Sequence, residues 1–166
     1  MKKYFIAIAL ILAALSCPAL CYAQQPATPE LEFAFELKVN IDGAFTVGAV
    51  PHGDRIVIPI TGGSFEGPAI KGEILPGGAD YQMGDRESGR TEVEAIYCIR
   101  TDDGVYIHVR NWGIICGGAD GFYFTTSPKF EAPKDSKYNW LNNKIFVCRP
   151  DFSKQGYLSL NVWAVK

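Results

Sequence analysis

Apolar and polar residues alternate along most of this chain with the two-residue period of β-strands. The alternation is strictest from 31 to 39, where Leu31, Phe33, Phe35, Leu37 and Val39 share one side. Because successive side chains of a strand point to opposite faces, this segment is predicted to be a half-buried strand with those residues on its apolar face. Further strand patterns are found near residues 54–61, 65–75, 79–84, 91–101, 105–112, 121–130, 140–148 and 156–165.

Glycine and proline separate these segments, and beyond the N-terminal leader described below no sustained helical period is found. Turn signals of this kind occur at Gly62-Gly63, Pro76-Gly77-Gly78, Gly117-Gly118 and Pro133. Many short strands joined by tight turns are typical of an antiparallel sandwich or barrel, and full closure into a barrel removes exposed strand edges. The pattern predicts an all-β fold, an antiparallel closed β-barrel of about eight to ten strands.

The turn Thr101-Asp102-Asp103-Gly104 fixes the register of one hairpin. A three-residue loop with Gly104 in the left-handed conformation aligns Ile99 with Ile107, Tyr97 with Val109 and Ala95 with Asn111, whereas a two-residue loop mixes apolar and polar residues on each face. We therefore expect the three-residue loop. It directs the charged side chains of these strands outward, namely Glu92, Glu94, Arg100, His108 and Arg110.

Those outward charges distinguish between two kinds of barrel. A barrel in the outer membrane needs an apolar outer belt, and charges facing lipid are costly at mid-depth. The sequence therefore predicts a soluble barrel.

The N-terminus has the order of a secretory signal peptide. Lys2 and Lys3 precede an uncharged apolar run from Tyr4 to Leu15, and small residues flank position 22 before Gln24. The run is shorter than the roughly 20 residues of a membrane-spanning helix. We expect cleavage near Ala23, export to the periplasm or medium, a short tail at 24–30, one barrel domain at 31–166 and no membrane association afterwards.

Charge and motif content exclude several function classes. Removing Lys2 and Lys3 with the leader lowers the formal net charge from −2 to −4, and there is no basic stripe for nucleic acid. Neither His52 nor His108 has a second histidine or cysteine at metal-ligand spacing, and nucleotide and hydrolase motifs are absent. We predict no metal, no cofactor and no nucleic-acid partner.

Three cysteines follow the leader: Cys98, Cys116 and Cys148. In an oxidising compartment one disulfide would add about 3 to 4 kcal/mol, and three pairings are open. Cys116–Cys148 is preferred because Cys98 lies inside a strand pattern. Three reduced, buried thiols are the alternative.

Four sequence motifs occur in order along the chain. They are IPITGGSFEGP at 58–68, LPGGADYQ at 75–82, TDDG at 101–104 and YNWLNN at 138–143. Together they resemble an uncharacterised family of bacterial and fungal proteins, a domain of unknown function, over about residues 31–165. The resemblance implies a closed antiparallel barrel of the calycin-like kind with an interior pocket, and it implies no settled activity. The chain departs from the family in its leader and in a short stretch at 113–123.

Two carboxylates are the candidate catalytic residues. Strand parity along 65–75 places Glu66 with Ile70 and Ile74, inside the barrel. A buried acid of this kind has a raised pKa and is suited to proton transfer, although a structural carboxylate satisfied by a neighbour is the more common case. Asp80 follows the Pro76-Gly77-Gly78 turn and either caps that turn or projects into the barrel mouth, where two acids would shift each other's pKa.

The remaining candidates are amides, phenols and aromatic side chains of one apolar face. Polar groups placed among aromatic residues are typical of a small-molecule pocket, and a hydrogen-bond network that fixes the strands is the alternative. The candidate ligand-binding residues are Tyr97, Asn111, Phe124, Thr126, Phe130, Trp140 and Asn142.

Two functions follow from this set, and a third is possible. The first is the binding of a small apolar or aromatic molecule in the barrel interior. The second is a cofactor-free isomerase, cyclase or lyase in which Glu66 or Asp80 transfers a proton while Tyr97, Asn111 or Asn142 binds an oxygen. The third is a structural module acting through an exposed apolar patch. We favour binding, because the enzyme needs a tuned acid in addition.

Overall fold

The computed structural model describes residues 26–118 and 121–166. Within those ranges the chain forms ten antiparallel strands and one short 3₁₀ helix at Asn139–Asn143, which confirms the all-β prediction. No helix among the described residues is long and apolar enough to cross a bilayer. The strands are β1 (Leu31–Ile41), β2 (Phe45–Val50), β3 (Gly53–Glu66), β4 (Lys71–Ile74), β5 (Gly78–Gly84), β6 (Arg90–Thr101), β7 (Tyr106–Gly118), β8 (Gly121–Glu131), β9 (Phe146–Asp151) and β10 (Leu158–Val165).

The sheet closes on itself because β1 pairs with β10 on one edge and with β3 on the other. The long strand β3 carries two partners in succession along its second edge, β5 beside residues 54–60 and β4 beside residues 63–66, and both continue to β6. Counting β4 and β5 as one position, the barrel has eight strands, with β2 as an extra strand paired to the start of β3. The predicted closed antiparallel barrel is confirmed.

The β6–β7 hairpin has the predicted register. Ile99 pairs with Ile107, Tyr97 with Val109 and Ala95 with Asn111. Gly104 has a φ of +86°, the left-handed conformation that glycine adopts without steric cost, and its N–H donates to the Thr101 carbonyl at 2.8 Å. The turn therefore directs Tyr97 and Asn111 into the barrel and Glu94 and Arg110 to its outer surface, where they form an ion pair.

The start of β1 departs from strict alternation. Phe35, Leu37 and Val39 are buried, but Leu31 and Phe33 are 55% and 42% exposed. A register shift between Phe33 and Phe35 in the pairing with β10 reverses the facing of the residues before it. The prediction that all five alternating residues share one face is wrong for Leu31 and Phe33, and Phe33 instead packs edge-to-face on Trp163.

One half of the barrel interior is filled by aromatic side chains. Phe35 lies edge-on to Phe65 and Phe130, with ring centroids 6.0 and 5.4 Å apart, and Phe130 meets Phe146 at 5.0 Å. Leu141 of the 3₁₀ helix is also fully buried in this cluster. We call this half the packed end. The opposite half, where β1 ends and β3, β6 and β8 begin, is the mouth.

Cys98, Cys116 and Cys148, the cysteines of the described residues, are free thiols. The preference for a Cys116–Cys148 bridge is wrong, because β8 lies between the strands that carry them: Cys116 pairs with Tyr123 and Cys148 with Thr126, both on β8. Two strand spacings separate such residues by roughly 10 Å, beyond the reach of a disulfide. The predicted signal peptide, at 1–23, lies outside the described residues.

Candidate functional site

A cavity of about 160 Å³ occupies the mouth half of the barrel. Its wall is mostly aliphatic and aromatic, and it is open to solvent at one side. The polar residues in its lining are Asp80, Gln82, Tyr97, Asn111 and Thr126. A largely apolar cavity with a few convergent polar groups is the usual form of a small-molecule site.

The LPGGADYQ segment explains how Asp80 reaches this cavity. Gly77 makes the turn with a φ of +105°, and Gly78 begins β5 with its Cα facing Tyr97. A Cβ at position 78 would lie 2.4 Å from the Cβ of Tyr97, so glycine is required for the two strands to approach. Alternation along β5 then directs Asp80 and Gln82 into the cavity.

Both oxygens of Asp80 accept a hydrogen bond. The side-chain amide of Gln82 donates to Oδ2 at 2.7 Å, and the backbone N–H of Glu94 donates to Oδ1 at 3.0 Å. Burial nevertheless raises the pKa of Asp80 above its ordinary value of 3.8, because desolvation outweighs these two hydrogen bonds. Asp80 is therefore the acid of this cavity, held in a fixed orientation and shifted toward its neutral form.

Three other polar atoms of the lining are buried without a hydrogen-bond partner: the hydroxyl of Tyr97, Oδ1 of Asn111 and the hydroxyl of Thr126. Buried polar atoms are nearly always paired, so a group of three on side chains that line one cavity needs an explanation. They come from three consecutive strands, β6, β7 and β8. Together they form one polar wall of the cavity, with Asp80 beside it on β5.

Burial also fixes the protonation of two groups here. It raises the pKa of Tyr97 well above its usual value, with a smaller contribution from Cys148 in the same direction. It raises the pKa of the Cys148 thiol to about 12, against a weaker opposing effect of the Thr126 hydroxyl, which lies near the thiol without meeting hydrogen-bond geometry. Both side chains are therefore neutral near pH 7, so that Tyr97 serves as a hydrogen-bond donor and Cys148 as an unreactive wall residue.

The predicted inward position of Glu66 is wrong. Glu66 ends β3 with its side chain exposed, while Phe65 beside it is buried. The sequence pattern treated 65–75 as one strand, but a turn at 67–70 separates β3 from β4 and changes the parity, so that Glu66 pairs with Lys71 on the outer surface. Glu66 is not among the residues that line the cavity, which removes the structural basis for a catalytic role there.

Asn142 is also not a cavity residue. It is exposed in the 3₁₀ helix, where it holds the segment to Ala132, directly after β8: the Ala132 N–H donates to its Oδ1 at 2.8 Å and its Nδ2 donates to the Ala132 carbonyl at 2.9 Å. The predicted strand at 140–148 therefore begins only at Phe146. The mistaken strand placed Trp140 inside too, but Trp140 packs against Phe146 and lines a separate groove outside the barrel.

The other predicted ligand-binding residues divide between the two halves of the barrel. Tyr97, Asn111, Phe124 and Thr126 all line the cavity, as does Asp80. Phe130 faces the interior as Thr126 does, but it lies four residues further along β8 and is therefore in the packed end. The structure therefore brings together Asp80 and four of the seven predicted ligand-binding residues.

Two further residues of the cavity lining, Gln82 and Ala95, are not among the residues predicted from the sequence. Gln82 lies two residues after Asp80, and residues with that spacing face the same side of a strand. The spacing alone therefore indicates that Gln82 lies beside Asp80 in the cavity. Ala95 was aligned with Asn111 in the hairpin, but its importance comes from its small size between Asp80 and Asn111, to both of which it is paired. No pattern along the chain indicates that relationship, because it joins three strands.

In the part of the chain that the structure describes, no group of three or more histidine, cysteine, aspartate or glutamate side chains is placed to hold a metal ion. The polar atoms of the cavity comprise one carboxylate, two amides and two hydroxyls. Such a set can bind hydroxyl and carbonyl groups and transfer a proton through Asp80.

Comparison with known proteins places the chain among uncharacterised barrels. A family model described as Protein of unknown function (DUF3237) matches residues 29–165. A UPF0311 protein from Rhodopseudomonas palustris is 35% identical over 136 residues, which cover 72% of this chain and 88% of that protein. Its crystal structure, with unknown function, superimposes with a TM-score of 0.77 at 32% identity over 85% of this chain and all of the other.

Two further relatives bear on fold and chemistry. A crystal structure of a beta-barrel like protein from Acinetobacter baumannii has a TM-score of 0.75 at 29% identity, covering 86% of this chain and 99% of the other. A hydroalkoxylation enzyme, phnH, from Penicillium herquei is 32% identical over 132 residues, 80% of each chain. The resemblance to an uncharacterised family is thus confirmed, and the chain belongs to the family described as Protein of unknown function (DUF3237).

Proposed function

We propose that this protein binds a small, largely apolar molecule in the mouth half of its barrel. The observation that carries the proposal is the cavity itself, in which an aliphatic and aromatic lining surrounds polar atoms that have no partner in the protein. Apolar lining favours a ligand with little polar surface, and the unpaired polar atoms favour one with a few fixed polar groups.

The size of the cavity limits what enters it. Its volume of about 160 Å³ is close to the roughly 150 Å³ of an engineered apolar cavity that holds benzene. One ring therefore fits within the wall. Because the cavity is open, a longer molecule would extend beyond it to the mouth.

The mouth carries exposed aromatic side chains that suit such an extension. Phe124 lines the cavity, and Phe152 lies against it with ring centroids 6.3 Å apart. Phe122 continues the contact at 5.8 Å from Phe152, and both outer rings are more than 60% exposed. We call these three residues the aromatic rim. Exposed apolar groups that continue a cavity lining are typical of a ligand entrance.

Saturation-transfer NMR with 4-methylphenol as a one-ring probe tests the binding function. We expect a saturable transfer signal with the purified protein that is reduced by a second one-ring compound, ethylbenzene, competing for the same cavity. Absence of a saturable signal for both compounds at millimolar concentration would contradict the proposal.

A second candidate function is acid–base catalysis without a cofactor, with Asp80 in place of Glu66. Two observations favour it: burial raises the pKa of Asp80, and the phnH relative is named a hydroalkoxylation enzyme. Hydroalkoxylation adds an alcohol O–H across a carbon–carbon double bond. Neutral Asp80 would protonate one alkene carbon, the alcohol oxygen would bond to the other, and the alcohol proton would return to Asp80. An isomerase or lyase would use the same proton transfer.

The cyclisation of 2-allylphenol to 2-methyl-2,3-dihydrobenzofuran tests this candidate. We expect turnover that falls at least 100-fold in Asp80→Asn, because the amide cannot transfer the proton. Asp85→Asn is the matched control, since Asp85 is an exposed carboxylate in the turn before β6. Undetectable turnover, or equal turnover in Asp80→Asn and the wild type, would rule out this role for Asp80.

We also propose that the protein is exported after cleavage near Ala23. The support is the order of charged, apolar and small residues in 1–23. Expression of the full chain followed by mass spectrometry of the periplasmic fraction tests it. A mature chain that begins at Gln24 is expected, and an uncleaved chain confined to the cytoplasm would contradict the proposal.

A further inference from the structure

The unpaired polar atoms of the cavity carry information about the ligand beyond its size. Three such atoms have almost no contact with solvent and therefore need hydrogen-bond partners in the protein, but none is found among the described residues. They are the Tyr97 hydroxyl, Asn111 Oδ1 and the Thr126 hydroxyl. Leaving a buried donor or acceptor unpaired costs its full desolvation. All three belong to side chains that line the one cavity, so a bound molecule is well placed to supply the missing partners.

The chemistry of these atoms differs. Asn111 Oδ1 is an acceptor and requires a donor from the ligand, which a hydroxyl provides. The hydroxyls of Tyr97 and Thr126 both donate, and the raised pKa of Tyr97 keeps its proton in place. Each hydroxyl can also accept, but a carbonyl oxygen, which has two lone pairs and no proton, can take a hydrogen bond from both of them. One wall of the cavity therefore has one position for a hydroxyl and one for a carbonyl.

Asp80 has less need of a partner from the ligand than these three atoms have. Its two oxygens already accept hydrogen bonds from Gln82 and from the Glu94 N–H. The remaining lining is aliphatic or aromatic and favours a neutral ring.

We propose that the ligand of this cavity is a neutral hydroxyaryl ketone, or a molecule that presents such a ring as its buried part. Its hydroxyl donates to Asn111 Oδ1, and its carbonyl accepts from Tyr97, with Thr126 beside it. This inference rests on the proposed binding function and names the ligand class of the same site.

A matched set of four compounds with the same carbon skeleton separates these contributions. Ethylbenzene has neither group, 3-ethylphenol the hydroxyl, acetophenone the carbonyl, and 3′-hydroxyacetophenone both. Isothermal titration calorimetry with the purified protein gives the four dissociation constants. We expect 3′-hydroxyacetophenone to bind at least tenfold more tightly than either singly substituted compound, and ethylbenzene to bind most weakly.

Variants assign each group to its partner. Asn111→Leu should abolish the gain from the hydroxyl and keep the gain from the carbonyl, whereas Tyr97→Phe should do the reverse. If Asn111→Leu does not fold, Asn111→Ala repeats the test of the hydroxyl with a smaller side chain. Thr126→Val should reduce the gain from the carbonyl.

The possible failures are distinct. Equal affinity for all four compounds, or a gain from only one of the two groups, would overturn the hydroxyaryl ketone assignment while leaving the binding function in place. Equal affinity for all four would mean that ordered waters, rather than ligand oxygens, pair with the three atoms. Binding of none of the four would contradict the binding function itself.

Discussion

Asp80 and Asn111 lie in one row across the barrel wall, and each is paired with Ala95, which lies between them on β6. Two strand spacings place their backbones roughly 10 Å apart. The side chain of Ala95 is only a methyl group, so the space between the Asp80 carboxylate and the Asn111 amide stays open to the cavity. Proton transfer and hydrogen bonding to one bound ring are therefore geometrically compatible.

The pH dependence of stability tests the environment of Asp80. Its raised pKa means that the folded protein holds this proton more tightly than the unfolded chain, so protonation stabilises the fold fully below the ordinary pKa of 3.8. That contribution is lost as pH rises through the pKa of the folded state. Urea unfolding from pH 3 to pH 7 should show the free energy of unfolding of wild type falling relative to Asp80→Asn.

Asp85 provides a control of opposite sign. Hydrogen bonds from Ser88 and Glu87 lower its pKa, so its contribution is present above 3.8 and is lost on acidification. Relative to Asp85→Asn, wild type should therefore gain stability as pH rises. If the free energy of unfolding of wild type instead rose with pH relative to Asp80→Asn, the Asp80 carboxylate would be stabilised as an anion, contrary to this prediction.

Substitutions in the packed end should lower the stability of the fold and leave ligand affinity unchanged. Phe130 is 2% exposed and contacts both Phe35 and Phe146, so Phe130→Ala should lower the free energy of unfolding by about 3–5 kcal/mol. Ile145→Ala, at a site 69% exposed, should change it by less than about 0.5 kcal/mol. Urea unfolding measures both.

Affinity for 3-ethylphenol, expressed per folded molecule, should be the same in Phe130→Ala as in wild type. A tenfold loss would indicate that the ligand reaches the packed end, contrary to this division of the barrel.

The aromatic rim should bind the part of a ligand that extends from the cavity. A hexyl chain adds four methylene groups to 3-ethylphenol, and each buried methylene contributes about 0.8 kcal/mol. In wild type, 3-hexylphenol should therefore bind more tightly than 3-ethylphenol. Phe152→Ser should reduce that advantage without changing the affinity for 3-ethylphenol.

Tyr106→Ser is the matched control for the rim, because Tyr106 is 58% exposed at the opposite end of the barrel. It should leave the ratio of the two affinities unchanged. If Phe152→Ser also left the ratio unchanged, the chain of the ligand would not lie across the rim.

Local rules predicted the parts of this structure that depend on one turn or one strand. The residues TDDG fixed the β6–β7 register through the left-handed Gly104, and the register in turn placed Tyr97 and Asn111 in the cavity. Alternation within β8 placed Phe124 and Thr126 there. These inferences hold because side-chain facing propagates without error along an uninterrupted strand.

The incorrect orientations have one physical cause: an irregularity in a strand changes which face of the sheet a side chain occupies. Three segments with a continuous strand pattern are interrupted in the structure, by a turn after Glu66, by a bulge after Phe33 and by a 3₁₀ helix at Asn142. The position of Phe130 shows a different limit. Its inward facing was correct, but only the closure of all strands shows which half of the interior is filled.

Ala95→Leu tests most directly whether the cavity is a binding site, because it fills the space between Asp80 and Asn111 and alters neither. Ile96→Leu, an outward neighbour on β6, is the matched control. Calorimetric titration with 3-ethylphenol should show at least a tenfold weaker affinity for Ala95→Leu and wild-type affinity for Ile96→Leu. Equal affinity of Ala95→Leu and wild type would contradict binding in this cavity.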